Sequence, residues 1–158
     1  MGHGMIGIRP LAPGDHVHAG RIFFCAVHEG ARTVYSLRQR LAWAGESIDL
    51  DRWRARMAGM QGFVAEAEGE PVGFMTIDAA GYVDLAFVLP SCARRGVGAR
   101  LLGAVEDWAR ACGVARLTTH ASLAATPFFA RHGWAVLARE QVRREGVALD
   151  RDHMEKRL

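Results

Sequence analysis

Leu89-Pro90-Ser91-Cys92-Ala93-Arg94-Arg95-Gly96-Val97-Gly98-Ala99-Arg100 is the stretch on which the reading of the chain turns. An apolar strand ends at its start, two arginines follow, and two glycines open a helix. That helix carries Leu101, Val105, Trp108 and Cys112 along one stripe until Gly113 stops it. The first backbone N–H groups of a helix have no intrahelical acceptor, and the helix dipole makes that end positive, so the turn has the makings of an anion site. Glycine lets a phosphate approach the backbone without a Cβ in the way, and Arg94 and Arg95 add charge-assisted donors. The competing reading is a bare strand-to-helix turn whose arginines face solvent, which glycine suits as well. Two other phosphate signatures fail on the letters. A dinucleotide fingerprint needs a third glycine where Leu101 stands, and a P-loop needs Gly-Lys followed by Ser or Thr.

Outward from this stretch, the chain alternates strand and helix signals without a linker or repeat, so residues 1–158 read as one domain. Ile6 to Leu11 predicts a first strand, and Asp15 stands where a helix running toward Glu29 needs its N-cap. Helical spacing recurs over Ser36 to Ala44 and Leu50 to Met60. Phe63 to Glu68 and Pro71 to Ile77 flank Glu68-Gly69-Glu70 as a hairpin, and Tyr82 to Leu89 follows as a fourth, mostly apolar strand. After the long helix come a fifth strand, Arg116 to His120, a helix, Ala124 to His132, and a closing hairpin. Its strands, Trp134 to Gln141 and Val147 to Met154, turn at Glu145-Gly146. The order predicts a mixed α/β fold, with residues 1–4 a loose start.

Composition narrows the function. Of 158 residues, 50% are hydrophobic and 23% charged, which excludes a disordered tail and a bundle of membrane spans. A chain of this length buries roughly 70% of the surface its unfolded form exposes, so no disulfide or metal is needed to hold it. The net charge of +3 comes from 20 basic against 17 acidic residues spread along the chain, too small an excess to indicate nucleic acid. Three cysteines without a C-x-x-C spacing point to a reducing compartment, and with no export signal or apolar span the expected location is the cytoplasm. No histidine has metal-like spacing with a carboxylate or cysteine, so no metal is expected.

With the strand, the Arg-Arg-Gly-Val-Gly-Ala turn and the later Ser122-Leu123-Ala124-Ala125-Thr126-Pro127-Phe128-Phe129-Ala130-Arg131-His132-Gly133-Trp134 in view, the chain resembles the GNAT superfamily of acetyl-CoA-dependent N-acetyltransferases, from Ile6 to Leu158. The resemblance implies a largely antiparallel central sheet, flanked by helices and splayed between its fourth and fifth strands. It implies acetyl-CoA as cofactor, its pyrophosphate on the amides of Arg94, Arg95, Gly96, Val97, Gly98 and Ala99 with Arg100 alongside. Its pantetheine arm would run beside Phe87, Val88 and Leu89, as an added strand would, with Ser122, Phe128 and Phe129 completing the site. A backbone amide near Val88 would polarise the thioester carbonyl. Two departures stand out. Ala93 occupies a place where the family usually has Gln or Arg, and Phe129 stands where many members have a tyrosine that protonates the departing thiolate.

The catalytic candidates follow from what the transfer needs. The amine must lose a proton, which a carboxylate or imidazole can accept. Asp84 interrupts an apolar strand, which is costly unless its charge is solvated, paired or used, and His120 ends the fifth strand with an ordinary pKa of about 6.5. Either is a candidate base, and either is also readable as an ordinary edge residue. Tyr35, one of only two tyrosines, is the candidate substitute acid. The resemblance implies that the helices carrying Tyr35, Gln39, Trp43 and Trp53 form the acceptor wall, where aromatic rings could meet a cationic amine. The expected activity is direct acetyl transfer to a small-molecule amine, with a homodimer left open. The alternatives are an acetyl-CoA-binding module with little turnover and an acetyltransferase of protein N-termini or lysines.

Overall fold

Successive residues of a strand point to opposite faces of the sheet, and Phe74 and Met75 are both buried, so their strand has packing on each side. The structure is a computed structural model that describes residues 5–158, leaving residues 1–4, read above as a loose start, outside the described residues. The strands are β1 (Ile6–Pro10), β2 (Gly62–Ala67), β3 (Glu70–Thr76), β4 (Tyr82–Val83), β5 (Ala86–Val88), β6 (Arg116–Ser122), β7 (Ala135–Arg144) and β8 (Val147–Arg157). The helices are α1 (His16–Cys25), prolonged by a π-helical turn over Ala26–Gly30, then α2 (Leu37–Ala44), α3 (Leu50–Met57), α4 (Val97–Ala111) and α5 (Thr126–Arg131). The fold is the expected mixed α/β arrangement.

The strands form two sheets, ordered β1-β2-β3-β5 and β4-β6-β8-β7. Every pairing is antiparallel except β4 with β6. Met75, Ala65 and Val72 look toward α4, whose Val97, Leu101, Leu102, Val105 and Ala109 are all buried against them. Phe74 and Val64 look the other way, onto Ala19 and Ile22 of α1 and Met57 of α3. Each such aliphatic or aromatic side chain contributes about 1.5–3 kcal/mol of transfer free energy. Both hairpins turn where the sequence places them. Glu68-Gly69 and Glu145-Gly146 have positive φ at both residues, the two-residue turn whose twist matches antiparallel strands.

Several local expectations change, among them that His120 ends its strand, for β6 runs on to Ser122. The single strand predicted over Tyr82 to Leu89 divides at Asp84-Leu85 into β4 and β5, which belong to different sheets. Helix α3 stops at Met57 rather than Met60. Asp15 does stand before α1, but its carboxylate makes no cap hydrogen bond to the helix. It accepts instead from both Nη atoms of Arg9 and from the Ala12 N–H, each at 2.8 Å, tying β1 to the helix start. Among the described residues no helix is long and apolar enough to cross a membrane, and no group of three or more His, Cys, Asp or Glu side chains is placed to hold a metal ion.

The hydrogen bonds from Arg9 hold the Asp15 carboxyl below its ordinary pKa, outweighing burial, which acts in the opposite direction. A carboxyl with a depressed folded-state pKa stabilises the protein at pH above its unfolded value of about 3.9, and that stabilisation is lost as pH falls through the folded value. We expect Asp15→Asn to lower the unfolding free energy by about 1–3 kcal/mol at neutral pH, read by urea denaturation. The gap to wild type should close below pH ~4.

Candidate active site

The parallel pairing of β4 with β6 covers only two residue pairs, Tyr82 with Thr118 and Val83 with Thr119. Beyond it β5 follows β3 and β6 follows β8, so the two sheets part and a gap opens between Ala86–Val88 and the end of β6. The hydrogen-bonding phase of β5 is set by bonds at either end of it, Thr76 N–H to the Leu85 carbonyl and Leu89 N–H to the Val72 carbonyl, both 2.8 Å. Antiparallel pairs alternate between bonded and non-bonded, so Phe87 bonds to Phe74 while the N–H and C=O groups of Ala86 and Val88 face the gap. An open strand edge is thereby presented inside the molecule.

At its far end this edge runs into the glycine turn. Arg94 (φ 65°) and Gly96 (φ 79°) both adopt the left-handed conformation, and the first helical bond is from the Arg100 N–H to the Gly96 carbonyl at 3.1 Å. Among the described residues the amides of Arg94 through Ala99 donate to no protein acceptor. Backbone alternating in this way gathers N–H groups into an anion-binding concavity, here at the positive end of the fifteen-residue helix α4. Buried Val97 anchors the turn to the core. Gly98 touches Phe128, for a Cβ there would lie 2.9 Å from the phenyl Cε1. The turn thus fits a pyrophosphate in amide count, in charge and in the absence of side-chain bulk. Arg95 Nη1 also approaches the Cys92 thiol at 3.7 Å.

Near the parting strands a cavity of about 580 Å³ extends toward α2 and α3 on one side and the β7–β8 turn on the other. Phe87, Ser122 and Phe129 line it together with Tyr35, Trp43, Asp84 and His120. Phe23 meets Trp43, Trp53 and Phe87 at ring-centre distances of 5.7, 5.1 and 4.9 Å, so this wall is a packed aromatic cluster. Gln39 does not line the cavity. Its side-chain oxygen accepts from the Ser36 N–H in a capping box while its Nε2 donates to the Ala148 carbonyl. Phe128 lies on the turn rather than the cavity wall, and Phe129 is buried against Trp134.

The candidate proton carriers differ in their surroundings. The Tyr35 hydroxyl donates to the Asp150 carbonyl at 2.6 Å and accepts from the Leu123 N–H at 2.9 Å, so it braces β8 against the loop before α5, and burial raises its pKa. The Asp84 carboxylate accepts from Arg56 at 2.8 Å. His120 has its Nδ1 at 2.7 Å from the Tyr82 hydroxyl and its Nε2 at 3.4 Å from Glu140, while its ring stacks on His153. Burial, then the nearby Arg151, lowers the His120 pKa below its usual value, against the pull of Glu140. His120 is therefore neutral at pH 7 with a nitrogen lone pair, and its protonated form would find an acceptor on each side. Glu140 and Arg151 escape the sequence reading, and Tyr82 enters it only as one of two tyrosines, because the β4–β6, β6–β8 and β7–β8 registers together bring them to His120.

These features coincide with what comparison finds. A family profile described as an acetyltransferase (GNAT) domain matches residues 31–158. The chain belongs to the GNAT acetyltransferases. The uncharacterized N-acetyltransferase YafP of Escherichia coli K12 is 37% identical over 142 residues, 90% of this chain and 89% of YafP. A GCN5-related N-acetyltransferase from Rhodopseudomonas palustris superposes with a TM-score of 0.91 at 32% identity, covering 100% of this chain and 99% of its own. The PaiA N-acetyltransferase of Thermoplasma acidophilum, solved with coenzyme A, has the same fold at a TM-score of 0.75 and 17% identity, with 98% and 99% covered. GNAT proteins are acyltransferases, and the family uses acetyl-CoA.

A methyl on Gly98 must displace the Phe128 ring. We expect Gly98→Ala to lower stability by about 1–3 kcal/mol, measured as a fall in the denaturation midpoint. An unchanged midpoint would mean that the ring yields freely.

Proposed function

We propose that this GNAT chain carries an acetyl group from acetyl-CoA directly to the amine of a small-molecule acceptor, both bound at once. The observation that carries the reading is the open edge of β5, which lines the cavity beside His120 at Ala86 and Phe87 and is followed along the chain by the unpartnered amides of Arg94 through Ala99. The acetyl thioester of acetyl-CoA, when bound, supplies the activated acyl group. In this reading the amides of the turn, with Arg94 and Arg95, hold the pyrophosphate. The outward groups of Ala86 and Val88 pair with the amides of an extended arm, and the Val88 N–H donates to the carbonyl oxygen that gains charge.

His120 takes the proton released by the acceptor amine. Its place in the cavity and the Tyr82 hydroxyl at 2.7 Å, which also lines the cavity and can pass a proton to Nδ1 while taking one from the amine, support this choice over Asp84, whose carboxylate is paired with Arg56. Phe129 has no proton to give, and Tyr35 holds its proton on a backbone carbonyl. Tyr82 is the tyrosine hydroxyl of the cavity that bonds a titratable side chain instead. The cytoplasm remains the proposed location.

Two measurements test the reading. Isothermal titration should detect coenzyme A binding, and no binding at millimolar coenzyme A removes the proposal. His120→Asn should lower kcat/KM by about 100- to 10,000-fold. Because the His120 pKa is depressed, the acidic limb of the wild-type kcat/KM profile should lie below pH ~6.5 and vanish in the variant. A variant that keeps full activity would pass the base role to Asp84.

A further inference from the structure

The acceptor end of the cavity is rich in guanidinium groups that the chemistry described so far does not use. Arg52, at the start of α3, lies on one wall, and Arg144, at the end of β7, on another. Between them stand Arg56, paired with Asp84 at 2.8 Å, and Arg151, paired with Glu140 at 2.7 Å. The other carboxylates of the walls have separate duties or positions. Asp49 caps α3 through the Arg52 N–H, Asp150 accepts from Gln141, and Glu145 is exposed in the β7–β8 turn. Among the described residues the guanidiniums of Arg52 and Arg144 have no hydrogen-bond acceptor and no ion-pair partner. Desolvation by the surrounding protein, with repulsion from Arg151, Arg56 and Arg52, lowers the Arg144 pKa, although arginine remains charged at neutral pH.

We propose that the acceptor amine also bears an anionic group, a carboxylate or a phosphonate, and that Arg52 and Arg144 bind it. Arg52 and Arg144 line the same cavity as exposed residues of like charge with no partner carboxylate among the described residues, and arginine's planar fork of donors matches either oxyanion. The same field has a second effect. Positive charge close to an ammonium favours its deprotonated form, so the cluster that binds the anionic end also makes the amine easier to deprotonate. A polycationic acceptor would meet repulsion instead. The aromatic wall expected to hold a cationic amine is engaged in its own ring packing, which leaves recognition to the arginines.

The inference rests on the acetyltransferase reading, and the test separates the two. Acetyl transfer is measured on β-alanine against β-alaninamide, 2-aminoethylphosphonate against propylamine, and 1,4-diaminobutane. The expected result is kcat/KM higher by about 10- to 100-fold for the anionic member of each pair, the fold-change that one charge-assisted hydrogen bond supplies. Arg52→Gln and Arg144→Gln should each lower kcat/KM for the anionic member of each pair by more than for its neutral partner, so that the preference is lost, and Arg144→Lys should restore part of it. Equal rates within both pairs overturn the inference and leave the transferase reading intact. Faster transfer to the diamine, or to the N-terminus of an acidic peptide than to any of the small amines, overturns it too. If coenzyme A binds but no amine is acetylated, the transferase reading fails, and calorimetry decides the arginine site on coenzyme A-loaded protein. Binding of 2-aminoethylphosphonate that the Arg52→Gln/Arg144→Gln double variant loses sustains the site, and no binding overturns it.

Discussion

Two buried threonines hold the place where the sheets part. The Thr76 hydroxyl accepts the Leu85 N–H at 3.0 Å, and the Thr119 hydroxyl donates to the Val83 carbonyl at 2.7 Å. Both side chains are almost fully covered, so these bonds form out of water, where an unmade partner is costly. Between them, at Asp84, the backbone leaves one sheet for the other. Were the fourth strand to continue beside β6, the backbone groups of Ala86 and Val88 would be paired, and no edge would remain for an extended ligand. The cleft is thus a consequence of strand pairing ended early and held open.

The rest of the fold keeps that opening in register with the glycine turn. The apolar stripe of α4 presses on the sheet formed by β1, β2, β3 and β5, and its first residue, Val97, is already core. The helix start therefore cannot drift along the strand edge. The other end of α4 is held by an ion pair, Glu106 with Lys156 of β8 at 3.0 Å, in which the lysine also donates to the His132 carbonyl. The helix that carries the anion site is in this way bound to both sheets, so their separation is fixed along with it.

What the sequence made legible was local. The turn at Arg94–Ala99 could be read because its chemistry lies in neighbouring letters, and both hairpins could be read because Glu-Gly fixes a two-residue turn. The division of the fourth strand could not. Tyr82 to Leu89 is a mostly apolar run with no glycine or proline before its end, and the agents of its division, Thr76 and Thr119, lie elsewhere in the chain. The same reason hid the partners of His120, which arrive through strand register, and the real use of Gln39, which the family resemblance put on an acceptor wall and which capping placed at the start of α2. Asp15 shows the reverse case, a residue correctly placed before its helix whose carboxylate found in Arg9 a stronger partner than the helix amides.

The pairing of Lys156 has a consequence for the chain's own chemistry. It is the sole lysine among the 20 basic residues, and the others are arginines, whose guanidinium is a poor nucleophile toward acyl donors. Its amine donates to the Glu106 carboxylate and the His132 carbonyl at the foot of α4. A protein that handles an activated acyl group thus presents it with a single lysine amine, and that one is already engaged by a carboxylate and a carbonyl.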